Sequence, residues 1–219
     1  MSTLTLTVEA IRKTLSPPRL ATYETAMSQH GRSDPQAALA LYAWNAEISG
    51  TLLFPLHVCE VTIRNAVAEA LEAIYGERWP WNEAFARTLK PISRAGLERS
   101  RGNPTLTSKV IPELKFSFWQ QMFTRRHDER LWNGYLRQVL PNHDPQSTIS
   151  ALREQIYADL EQIRTLRNRI AHHEPIFKRN LLQDYLIIRQ SIDRRCPFTA
   201  EWMERNQRVT AVLPLRPAP

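Results

Sequence analysis

The chain has 219 residues and a formal net charge of +7, with two cysteines and 6 glycines against 15 prolines. This length allows one sizeable core. Few glycines beside abundant Leu, Ala, Arg, Glu and Gln argue against a turn-rich sheet protein and predict an all-α class. Cys59 and Cys196 lie far apart and form no C-x-x-C arrangement, which suggests neither a disulfide framework nor a zinc site and fits a reducing compartment. The positive charge, carried mostly by arginine, favours a polyanionic partner such as nucleic acid, because the guanidinium fork pairs with two phosphate oxygens.

The start, MSTLTLTVEAIRKTL, lacks a basic residue followed by a continuous apolar run, so no secretory leader is expected. Residues 1–33 are expected to form an N-terminal helical segment, followed by a helical domain over 34–195. Asp34 is a predicted N-cap, with Pro35 at the first helical position and Gly76 just past the end, which marks one or two long helices over Asp34–Tyr75. Pro55 is expected to kink this segment. Its apolar residues cover more than one stripe, as expected of a central helix. The most apolar stretch, Thr51 to Ile63, includes His57 and Glu60 and falls short of the ~20 apolar residues a bilayer needs, so no membrane span is expected; with the cysteine usage and the start of the chain, a cytoplasmic location is expected.

From Gly76 to Pro104 the chain is rich in Pro, Gly, Trp and basic residues, predicting a small, partly irregular insertion with a short helix over Ser93–Ser100 and a mobile tip at Arg99–Asn103. Pro112 is expected to start a helix, PELKFSFWQQMF, with Leu114, Phe118 and Met122 on one face. Its Phe116, Phe118, Trp119 and Phe123 fit core packing better than base stacking. An amphipathic helix over Asp128–Val139 follows. A long helix from Ser147 or Thr148 into Ala171-His172-His173 carries the inner stripe Ile149, Leu152, Ile156, Leu160, Ile163, Leu166, Ile170 and stops before Pro175. A helix over Asn180–Arg194 comes next. Residues 196–219 read as a short helix containing Trp202 and a loose, proline-rich tail.

The string LRNRIAHHEPIF gathers arginine, asparagine and histidine at a helix C-terminus. Asn168 and His172 share a face at i, i+4, while Arg167 lies about 140° around from His172. RNA cleavage without metal needs a base for the ribose 2′-hydroxyl, an acid for the 5′-oxygen and a cation for phosphate charge. Histidine and arginine supply these roles. The alternative is structural: His172 and His173 cap the helix, and the arginines pair with Glu154, Glu161 or Glu174.

Earlier in the chain, Glu60 and Arg64 stand at i, i+4. Either they form a buried ion pair that orients two helices, or Arg64 and Asn65 line the same cleft as Arg167. Neither H-E-x-x-H nor a glycine-rich phosphate loop is present, so no metal or cofactor is expected.

RNRIAHHEP resembles the R-x4-6-H signature of the HEPN superfamily. Four further segments, in the same order, are similar to its Abi-like (abortive infection) branch: WNAEISGTLLFPLHVCEVTIRNAVAEAL, GERWPW, KVIPELKFSFWQQMF and ERLWNGYLRQVLP. The resemblance spans roughly Ala38 to Arg194. It implies a HEPN-like helical bundle, usually a homodimer, in which arginine and histidine from each protomer form one metal-independent endoribonuclease site. Carried over by position, the catalytic pair is Arg167 and His172, with Asn168 supporting and His173 the alternative at a spacing of five. The resemblance also implies RNA as substrate, a phage-defence or toxin–antitoxin setting, and a protein antitoxin or regulator as a further partner. Because some members lack activity, the competing reading is a non-catalytic module that binds RNA, nucleotide or protein. A membrane protease, the other activity linked to the abortive-infection label, is opposed by the missing spans.

Overall fold

The computed structural model describes residues 3–29, 34–103 and 105–218, and no strand occurs among them. The molecule is an all-α bundle around one very long helix. The expected boundary after residue 33 falls at residues 30–33, outside the described residues.

Two N-terminal helices, α1 (Thr3–Leu15) and α2 (Pro17–Ser28), lead into α3 (Pro35–Tyr75). The Asp34 carboxylate accepts from Gln36 N and Gly76 ends α3 at φ 80°, so the predicted caps are in place. The helix runs through Pro55 as a single element, and its buried residues lie on several faces, which puts it at the centre. Tyr23 of α2 packs against Tyr42 and Phe177 with ring centroids 5.1 Å apart in each case.

The insertion contains α4 (Glu83–Thr88), α5 (Pro91–Ser100) and α6 (Thr107–Val110), organised around the fully buried Trp79. Its tip is tied down, because Arg101 donates to Pro80 O at 2.9 Å and pairs with Glu83 at 3.0 Å.

The predicted helix from Pro112 is different. Ile111–Glu113 form a 3-10 turn, Leu114 and Lys115 are extended, and only then does α7 (Phe116–Met122) begin. The break lets Leu114, Phe116, Phe118, Trp119 and Phe123 all be buried, which the single stripe of one continuous helix would not allow. The predicted Asp128–Val139 helix also divides, into a π-turn (Asp128–Trp132) and α8 (Asn133–Val139). Phe123 stacks on Trp132 at 4.5 Å beside that turn.

Thr148 caps α9 (Ile149–Ala171) by accepting from Ala151 N, and the predicted stripe from Leu152 to Ile170 is buried along the whole helix. Truncating a fully buried member such as Leu160 to Ala should cost about 2–5 kcal/mol. Then come α10 (Leu181–Asp193), α11 (Pro197–Asn206) and α12 (Val209–Val212). A buried Arg194–Asp159 pair at 2.6 Å ties the end of α10 to α9.

The tail is not loose as expected. Val209 and Val212 are buried, Trp44 Nε1 donates to Val212 O at 3.0 Å and Arg216 lies over the Trp44 ring, so α12 docks on α3 and holds the start of the tail there. No helix among the described residues is long and apolar enough to cross a membrane.

Candidate functional site

The last turn of α9 carries the candidate residues, and the chain pins it from three sides. His172 is the cap, His173 follows at φ 55°, and Glu174 N donates back to Arg169 O at 2.8 Å while His173 N donates to Ile170 O at 3.0 Å. These two bonds define a Schellman turn with histidine in the left-handed position usually taken by glycine. Arg19 Nη1 donates to His173 O at 2.7 Å. Asn45 Oδ1, buried in α3, accepts from Ile176 N at 2.8 Å and Phe177 N at 3.1 Å. Arg169 donates to Pro175 O and pairs with Glu174 at 3.4 Å, so this arginine is structural. The turn is held rigidly while His172 and His173 both stay exposed.

One turn earlier, Arg167 Nε donates to Glu60 Oε2 at 3.1 Å and joins α9 to α3. The expected Glu60–Arg64 pair is therefore absent. Glu60 reaches across to α9, and Arg64 is left with a buried Nε that has no hydrogen-bond partner. Arg167 keeps 42 % of its side chain exposed, and its two Nη groups have no partner among the described residues.

Glu60, Arg167 and Asn168 line one cleft of about 430 Å³, closed on the other side by the extended Leu114–Lys115 segment and Ser117. Arg164 joins them, although nothing in the sequence reading singled it out. It stands three residues before Arg167 and four before Asn168, so helical spacing alone places it on that face. Arg164 pairs with Glu161 and holds that carboxyl below its ordinary pKa, with a further hydrogen bond from Gln120.

His173 lines a separate cleft of about 360 Å³ with Tyr23, Tyr42 and Ser49. His172 lines neither cleft, and no hydrogen bond joins the Arg167 or Asn168 side chain to either histidine. Arg64 and Asn65 also line neither, so the expectation that they share the Arg167 cleft fails; Asn65 points to solvent. The structure thus brings together Glu60, Arg167 and Asn168, and leaves the histidines beyond them at the helix end. Asn45 and Arg19 gave only a faint signal or none: a polar residue within the buried face of α3, and an arginine 154 positions away from its acceptor.

Among the described residues no group of three or more His, Cys, Asp or Glu is placed to hold a metal ion. No family model matches the chain, and neither a curated protein nor a solved structure matches it.

Proposed function

We propose that this chain is a HEPN-like, metal-independent endoribonuclease that works as a cytoplasmic homodimer in a phage-defence or toxin–antitoxin setting. One observation carries the reading: Arg167 presents a free Nη edge into an open polar cleft, and two exposed histidines sit within two turns of it on a rigidly held helix end. In this mechanism the Arg167 fork binds the scissile phosphate and takes up the charge that develops on it. Asn168 adds a hydrogen bond from the same cleft. His172 moves the proton, with His173 as the alternative. One copy supplies a single proton-transfer group at His172, so two copies meeting at the ends of α9 would supply both base and acid.

The competing reading is a non-catalytic module that binds RNA, nucleotide or protein. It is favoured by the absence of any hydrogen bond between the Arg167 and His172 side chains within the chain. Expression in a bacterial host separates the two. Wild-type chain should arrest growth and fragment cellular RNA while Arg167→Ala/His172→Ala does neither; equal effects of both, or intact RNA with both, would remove catalysis.

A further inference from the structure

The Arg167 cleft does not stand alone. A second groove of about 750 Å³ runs between α5, α7 and α9, and the two share Glu113, Leu114, Lys115, Ser117 and Arg164 as a common wall. The two adjoin along that wall, a depression in two parts. Cations line both parts: Arg167 the first, Arg164 and Lys115 the shared wall, and Arg99 and Lys90 the second, beside the carboxylates of Glu60, Glu161 and Glu113, of which Glu60 and Glu161 are paired with Arg167 and Arg164.

Lys90 in turn meets a second basic cluster outside the groove. His127 is buried, and its pKa is pushed down to about 4, first by that burial and then by the charges of Arg126, Arg130 and Lys90. Lys90 also donates to Gln121 at 3.5 Å, near the end of α7, and Arg126 and Arg130 flank His127 in the turns that follow that helix, so the three cations neighbour one another. Arg99, Lys115, Arg126 and Arg130 are exposed and form no side-chain hydrogen bond or ion pair among the described residues. Exposed cations without an anionic partner along a groove suit a polyanion.

We infer that this depression is a track for single-stranded RNA, running from the Arg167 cleft past Lys115 to the Lys90, Arg126 and Arg130 cluster. The inference rests on the ribonuclease reading for the identity of the polyanion. A concave groove with a half-buried tyrosine, Tyr157, and the side chains of Ser93 and Gln121 along it accepts splayed bases. A duplex keeps its bases stacked inside and reads only shape, and an acidic peptide offers neither bases nor regularly spaced phosphates.

The test uses full-length wild-type protein and a fluorescent 2′-O-methyl RNA, which cannot be cut by 2′-hydroxyl attack, so binding is read whether or not the protein is a nuclease. Arg126→Ala/Arg130→Ala should weaken binding of a long single strand about tenfold or more. The slope of log K against log salt should fall by up to about 1.4, and the loss should grow with oligonucleotide length. Lys13→Ala/Arg208→Ala removes the same net charge from exposed positions outside the groove and should bind as wild type. Tighter binding of a duplex, stronger competition by polyglutamate than by RNA, or equal loss in the control variant would overturn the track. Binding as described with no cleavage of unmodified RNA would leave the track standing and remove the nuclease. Cleavage with unchanged binding in Arg126→Ala/Arg130→Ala would do the reverse.

Discussion

Arg167 Nε and Glu60 Oε2 lie 3.1 Å apart, a single bond between α9 and α3 that fixes the guanidinium through its inner nitrogen and leaves its outer edge free. A half-exposed pair of this kind contributes only about 0–1 kcal/mol to stability, so its consequence lies in aim. Glu60→Ala should leave the melting temperature nearly unchanged and lower the cleavage rate on the order of tenfold, because a fork displaced by about 1 Å no longer meets the phosphate. Glu60→Gln keeps an acceptor for the Nε hydrogen and should retain most of the rate. Single-turnover kinetics beside a thermal melt reads both; a large fall in melting temperature for Glu60→Ala would make the pair structural.

Arg64 leads to the opposite expectation from a buried ion pair. Its buried Nε has no partner, which already carries a desolvation cost, and the residue as a whole is half-buried. Arg64→Met keeps the stem and removes the orphaned group, so urea unfolding should show unchanged or higher stability. A loss of more than about 2 kcal/mol would mean that the guanidinium has a stabilising partner after all.

His173 occupies a left-handed position, at φ 55°, where glycine is the residue of least strain. His173→Gly should therefore stabilise the fold by about 0.5–1 kcal/mol. A histidine at such a strained position fits a role in chemistry or binding. Cleavage by the same variant distinguishes the histidines: it persists if His172 transfers the proton and disappears if His173 does.

The buried His127 makes stability depend on pH. Its folded pKa of about 4 lies below the ordinary value of 6.5, so between these values the unfolded chain binds more protons than the folded one. Stability should be full above about pH 6.5 and fall as the pH drops toward 4, by at most about 3 kcal/mol. In His127→Gln this part of the decline should vanish. An unchanged profile in that variant would place the acid sensitivity elsewhere.

Local chemistry made much of this architecture legible. Asp34, Pro35 and Gly76 mark the ends of α3 through capping rules, and the spacing of three and four from Leu152 to Ile170 fixes the inner face of α9. Interactions across long sequence separations were not legible. Glu60 has Arg64 at ideal helical spacing, yet it pairs with Arg167, 107 positions away, because tertiary packing sets which arginine faces it. The extended break at Leu114–Lys115 arises from burying Leu114, Phe116 and Trp119 together, a demand of the core that no propensity at those positions expresses. The docked tail depends likewise on Trp44, whose indole finds its acceptor only in the folded bundle.

The most direct measurement is the chemistry of the RNA ends left by purified protein in EDTA, with Arg167→Ala/His172→Ala beside wild type. Wild type should cut single-stranded RNA and leave 2′,3′-cyclic phosphate or 3′-phosphate ends, while the double variant should lose about 10²-fold or more in rate with its fold intact. Strict dependence on a divalent ion, 3′-hydroxyl products, or full activity in the double variant would contradict 2′-hydroxyl attack at Arg167 and His172.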